Sequence, residues 1–324
     1  MDSSPPQSNN YRKNKCREHR IMTISTSHIL KEAADIVVRK QLDFKLDSSL
    51  PKYWFENNPI KTRLMDAVCA TFPEGEKYFI LSVRHFREQI KNPKLLNDVA
   101  DFIQQEAQHG IVHTRFNDFL RLQGLPIDKL ENTLKAKLDR SRKSVSPEMN
   151  LAITAACEHV TAMFAKCFFE QQATMQGVQD PRILAMLAWH SIEEFEHKSV
   201  AFDVMQTVAH VPYAMRAGAM LFLTVDMLSE IFINAHSFLK ADGFGPVQRA
   251  KLIGQGLVWG FSPKGVLAPM FKPWLSYFKP SFHPNQESTV DQFPIWLEVF
   301  AETGDPILAG QAFHRAGKAL PANI

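Results

Sequence analysis

The sequence predicts an all-α fold: a four-helix bundle with a short N-terminal arm before it and further helices after it. Three observations lead there. The stretch from Trp189 to His197 contains Glu194-x-x-His197, with His190 four residues before the glutamate. Offsets of three and four return to one face of an α-helix, so these side chains can point at one spot. Glu106-x-x-His109 repeats the motif in an earlier segment with helical periodicity. Each copy is preceded by another glutamate in a helix-like stretch, Glu76 before the first and Glu158 before the second. The separations fit one helix, a turn and an antiparallel return at ~1.5 Å rise per residue. Carboxylates and imidazoles converging among apolar helices are costly when unpaired. A metal ion supplies a reason for them, and the order Glu, Glu-x-x-His, Glu, Glu-x-x-His is the ligand pattern of a dinuclear carboxylate bundle.

Taken in order, residues 1–25 are dominated by Ser, Pro, Asn and basic side chains without a structural period, and read as a disordered tail. Residues 26–324 read as one helical domain: an arm and loop over 26–59, a metal-binding bundle over 60–210, and a helical, aromatic extension over 211–324. The arm alternates apolar and polar residues from Gln41 to Leu46, which predicts a short extended element or β-arm. The aromatic loop Tyr53-Trp54-Phe55 is expected to pack over the bundle.

The first bundle helix spans Ile60–Lys91 with a break near Phe72-Pro73-Glu74-Gly75-Glu76, because proline removes a helical hydrogen bond. Glu76 then falls in the first turn after the break. Asn92-Pro93 opens the second helix, which runs to Leu122 before Gly124 and Pro126. Residues 127–142 are lysine-rich and predict a solvated crossover with a short helix. Pro147 opens the third helix, to Met175, where Ala155, Ala156 and Ala162 surround Glu158 and let helices approach. Pro181 opens the fourth, to His210. Beyond it, Tyr213–Leu239 predicts a packing helix with a polar edge, and Pro294–Glu302 one further helix.

Composition bounds the function. The chain has 324 residues, 45% hydrophobic and 22% charged, with a net charge of +3. That charge is too small to argue for nucleic acid as a partner. Four cysteines without Cys-x-x-Cys spacing suggest neither a disulfide framework nor a zinc site, and fit a reducing compartment. The N-terminus has no apolar h-region. The longest strongly apolar run, Ala217 to Val225, is shorter than the roughly 20 residues a transmembrane helix needs. A cytoplasmic protein without a transmembrane segment is the expectation.

The candidate metal ligands are Glu76, Glu106, His109, Glu158, Glu194 and His197, with His190 as a seventh. His113, Asp203, Arg84 and His283 are candidates for supporting them. Glu193 and Glu196 point away from the Glu194 face and read as solvated or ion-paired, and His159 as structural. An oxygen-rich set without thiolate favours iron, with manganese or zinc as alternatives. Two of the glutamates can bridge two ions. Two chemistries are open to such a site: metal-activated hydrolysis, and oxidation with O2, which would need an electron donor. Iron storage is a third reading. The partner is a small-molecule substrate. The long stretch after the fourth helix is expected to wall a pocket beside the metals, with Phe282 and His283 near it. A homodimer surface is its alternative role.

These residues also carry a family resemblance. Phe72-Pro73-Glu74-Gly75-Glu76, Ser82-Val83-Arg84, Phe102 through His109, Trp189 through Lys198 and Phe282-His283-Pro284 together resemble the bacterial proteins called predicted metal-dependent hydrolases, which belong with the ferritin-like superfamily. The resemblance runs from about Val38 to Pro284 and implies a metal-dependent enzyme on a helical bundle. His190-x-x-x-Glu194-x-x-His197 also resembles the ligand spacing of di-iron arylamine N-oxygenases, which implies O2 chemistry.

Overall fold

Asn58 accepts a hydrogen bond from the Lys61 amide and precedes Pro59, and there α1 (Pro59–Cys69) begins. The side chain satisfies a donor the helix leaves orphaned, and proline has no N–H to lose at that position. The chain breaks at Ala70-Thr71, and Phe72-Pro73 starts α2 (Phe72–Arg84), which places Glu76 just past its first turn. Asn92-Pro93 starts α3 (Pro93–Leu122), with the Asn92 side chain accepting from Lys94 and Leu95. There follow α4 (Ile127–Ser144), α5 (Pro147–Glu170) and α6 (Pro181–His197), the last capped by Asp180. After a short interruption come α7 (Val200–Thr207), α8 (Tyr213–Ala241), α9 (Pro246–Phe261), α10 (Leu267–Ser276), α11 (Phe293–Thr303) and α12 (Pro306–Ala319).

The computed structural model describes residues 36–170, 176–263 and 265–319. The tail expected over 1–25 and the last residues of the expected third helix lie outside them. The fold is all-α. Among the described residues no strand occurs, only an isolated bridge between Phe55 and Val178. The expected β-arm is therefore corrected. Residues 36–46 are irregular, with positive φ at Gln41 and Lys45 that breaks any strand pleat. Their alternation still buries Leu42 and Phe44, the latter against Trp189. The crossover after α3 is a full helix of 18 residues rather than a short one. The expected fourth helix divides at Lys198-Ser199 into α6 and α7, and α12 was not anticipated.

In the bundle, α2 packs along α3, α5 along α6 and α7, and α3 crosses to α6 and α7. Two apolar clusters fill it. On α3, Phe102 belongs to one cluster and Val112 to the other, and Glu106 and His109 lie between. The polar layer thus sits at the seam of two dry cores.

The extension wraps this bundle. α8 packs on α1 and α5, α9 on α1, α10 on α5, and α12 on α6. By length and composition, α5 and α8 are each long and apolar enough to cross a membrane. For α5 that character belongs to a core helix, 72% buried over its apolar window, whereas α8 is only 17% buried over its own.

Candidate metal centre

Four helices deliver the seven expected ligand residues to one place. α2 brings Glu76, α3 Glu106 and His109, α5 Glu158, and α6 His190, Glu194 and His197, and all seven are buried. Donor atoms of Glu76, His109 and His190 lie within 4.8 Å of one another, and so do those of Glu106, Glu194 and His197. Two glutamates link the groups. Glu194 Oε1 stands 3.1 Å from His190 Nε2, 3.6 Å from His197 Nε2 and 3.9 Å from His109 Nδ1. Glu106 Oε1 stands 3.1 Å from His197 Nε2 and 3.8 Å from His109 Nδ1. Glu158 Oε2 lies 3.3 Å from His197 Nε2.

Many of these atoms have no hydrogen-bond partner despite being buried: both carboxylate oxygens of Glu76 and of Glu106, Glu158 Oε2, His109 Nδ1, His190 Nε2 and His197 Nε2. Orphaned buried polar atoms are rare because each costs its full desolvation penalty. Here they all face the same small volume, which is what a cation-binding cage requires.

The electrostatics agree. Burial pushes Glu76 and Glu106 well above the ordinary carboxyl range, reinforced for Glu76 by Glu106 and for Glu106 by Glu158. Burial raises Glu158 to about 7. For Glu194 burial acts upward too, but His197 and His190 outweigh it and hold the group well below its usual value. His197 is well above the usual histidine value: burial opposes its charge, and Glu194, Glu106 and Glu158 prevail. His109 is lowered by burial and by His190. Too little positive charge faces these four carboxyls for all of them to ionise together, so three are driven toward their protonated forms, and cations would relieve that.

A model of the family described as predicted metal-dependent hydrolase matches residues 38–288. The chain belongs to this family. Neither a curated protein nor a solved structure matches it.

In this metal-dependent hydrolase family member, the ligand-type histidines are held from behind by side chains that the sequence reading did not single out as part of the site. His197 Nδ1 contacts Gln105 Oε1 at 2.8 Å, and Gln105 Nε2 donates to Glu196 at 2.7 Å and to the Val37 carbonyl at 3.0 Å. His109 Nε2 lies 3.1 Å from Glu193 Oε2 without hydrogen-bond geometry, an electrostatic contact only, and the other oxygen of Glu193 accepts from Trp189 Nε1 at 2.8 Å. Arg39, buried in the arm, pairs with both Glu193 and Glu196. Of the two expectations for these glutamates, the ion pair is the one the structure shows. Solvation is not, since both side chains are buried. The pattern carries a signal that was available: a second pair of acids beside Glu194, three residues apart, needs a cation of its own. Thr161 was also missed, and its hydroxyl donates to Glu194 Oε2 at 2.5 Å.

The four supporting candidates divide. His113 Nε2 lies 2.8 Å from His190 Nδ1, so His113 backs His190 as Gln105 backs His197. Asp203 and His283 contact each other at 2.9 Å and are each about a third exposed, a surface pair that joins α7 to the loop after α10. Arg84 is exposed at the end of α2, ~12 Å of helix rise beyond Glu76. His159 meets the Pro273 carbonyl at 3.2 Å and stacks on Tyr277, which fits its structural reading.

An apolar cavity of about 150 Å3 opens beside His190. α8, α9 and α10 contribute Ile231, Trp259 and Met270 to its wall, and Thr161 and Ser191 are among its few polar side chains. Phe72 also lines it and stacks on the ring of His190, a further lining residue, at 4.7 Å, so the cavity reaches the edge of the candidate centre at this histidine. The extension does wall a pocket beside the candidate centre. Phe282 and His283 are not in that wall: Phe282 packs on His159 and Tyr277, because the chain turns back toward α7 there.

Proposed function

We propose that the chain is an enzyme in which Glu76, Glu106, His109, Glu158, His190, Glu194 and His197 hold two metal ions, iron by their chemistry, and that it acts on an apolar substrate lying in the cavity beside His190. The observation that carries this reading is the set of orphaned buried donor atoms facing one volume. Each of Glu106 and Glu194 approaches both His109 and His197, the arrangement needed for carboxylates that bridge two ions. Oxygen-rich ligation without thiolate suits iron or manganese better than structural zinc. The Glu-x-x-His pairs on two helices and the lone glutamates on two others support placing the bundle with the ferritin-like proteins.

The metals, when bound, would activate water and polarise an ester or phosphate oxygen. The chain's own residues do the positioning. Gln105 and His113 fix two imidazoles, Thr161 anchors one oxygen of Glu194, and the cavity holds the apolar part of the substrate out of water. One observation favours the second reading, O2-dependent oxidation. Hydrolysis develops negative charge on oxygen and profits from fixed donors around it, but the cavity wall is almost wholly apolar.

The deciding experiment is metal analysis of the purified chain, followed by assay of the iron and zinc forms for ester and phosphoester cleavage and for O2 consumption. About two ions per chain are expected. Cleavage by both forms supports hydrolysis, and O2 uptake by the ferrous form alone supports oxidation. Loading far beyond two ions would make the protein a store and sink the enzyme reading.

A further inference from the structure

Eleven of the sixteen large apolar side chains that are exposed among the described residues fall within residues 213–275. An apolar concentration of this kind marks a contact surface. On α8, Leu221, Phe222, Val225 and Ile233 are all more than half exposed and recur at helical spacing, so they form one stripe. The other side of the helix is committed inward. Arg216 lies over Tyr277, and Asp226 and Glu230 pair with Lys137 of α4. Val258 and Phe261 on α9 are 75% and 58% exposed, and Phe271 on α10 is 61% exposed. α9 packs against both α8 and α10, and inner side chains of the same three helices wall the cavity.

Charge says what covers this face. Lys240, Lys251, Lys272 and Lys279 are exposed along the same helices and the turn that follows them. The acids of the stretch are already taken: Asp226 and Glu230 by Lys137, Asp242 by Arg63 and Lys52. A second copy seated symmetrically on the face would set one lysine-bearing patch against another with no acid of the stretch left to balance them. Anionic headgroups would instead neutralise them, while the layer beneath takes the Phe and Val side chains. α8 is apolar enough to cross a bilayer, but its inner side packs on α1 and α5, so only its outer face is open to lipid.

We infer that the outer face of α8, α9 and α10 docks on the surface of an anionic lipid bilayer, and that the cavity behind it is loaded from there. The loading clause rests on the apolar substrate proposed above, and the docking does not.

The test is co-sedimentation of the full chain with phosphatidylcholine vesicles, with and without phosphatidylglycerol. Binding is expected to the anionic vesicles and to weaken with salt. Phe222→Asp and Phe261→Asp, both at exposed positions, are each expected to lower partitioning by roughly tenfold or more with unchanged thermal unfolding. The double change Lys251→Glu with Lys272→Glu is expected to abolish the preference for anionic vesicles. Failure of the unsubstituted chain to bind anionic vesicles overturns the inference. So does a dimer in gel filtration that Phe222→Asp dissociates, which would give the face to a second copy. Metal content is measured without vesicles, so a failed metal reading would leave the docking result standing.

Discussion

Gln105 fixes the tautomer of His197. Its amide nitrogen is committed to two acceptors, Glu196 and the Val37 carbonyl, so the oxygen 2.8 Å from His197 Nδ1 can only accept. Nδ1 therefore carries a proton, and Nε2 is the atom turned to Glu106, Glu158 and Glu194. Gln105→Leu removes the acceptor and frees the ring. Metal affinity is expected to fall roughly 10- to 100-fold, read by competition with a chelator, and retention equal to the unsubstituted chain would show that Gln105 does not position the ring.

Buried carboxylates that raise one another's proton affinity oppose folding until something balances them. Glu76→Gln and Glu106→Gln should each lower metal content and, in metal-free protein, raise the unfolding temperature. The burial of a neutral amide is cheaper than that of a charge. Added iron should then stabilise the unsubstituted chain but not the variants. Metal stoichiometry left unchanged in both would remove these glutamates from the site.

The ligand set was legible in the sequence because helical spacing converts directly into a shared face: the order of Glu76, Glu106, His109, Glu158, Glu194 and His197 needs no tertiary information. Helix starts at Pro93, Pro147 and Pro181 were legible from an equally local signal, a proline that has no N–H to lose in the first turn. What supports the histidines was not. Arg39 reaches Glu193 and Glu196 across more than 150 positions of sequence, and no periodicity announces such a contact. The misplacement of Phe282 and His283 is of the same kind. Their direction is set by the fold of the extension, where aromatic content gives no vector.

His159 couples the bundle to that extension, and its titration should show in stability. Burial lowers it to about 4 from the ordinary value of 6.5, so the folded chain binds its proton less well than the unfolded chain does. A depressed value means the contribution is intact above pH 6.5 and is lost as the pH falls toward 4. By linkage this term amounts to about 3 kcal/mol. His159→Phe cannot titrate. Urea unfolding on either side of that window should show a pH-dependent loss smaller by that order in the variant, whatever the lost Pro273 contact costs at both pH values. Equal slopes for the two proteins would mean that His159 is solvated.

Two glycine-to-alanine changes should move stability in opposite directions, and the reason is local. Alanine in a helix interior gains about 1 kcal/mol over glycine when nothing else changes. At Gly254 of α9 an added Cβ meets no atom within 4 Å, so Gly254→Ala should stabilise by about that amount. At Gly310 of α12 the same carbon would lie 2.5 Å from Ala185 Cα and 2.7 Å from its Cβ. Ala185 belongs to α6, the helix that carries His190, Glu194 and His197, and backbone cannot step aside as a side-chain tip can. Overpacking of this kind costs about 1–3 kcal/mol, enough to reverse the helical gain. Gly310→Ala should therefore lower the unfolding midpoint, and the displacement of α12 from α6 should also weaken metal retention. A rise in the midpoint for Gly310→Ala would show that α12 does not approach α6 as closely as the packing of Gly310 on Ala185 requires.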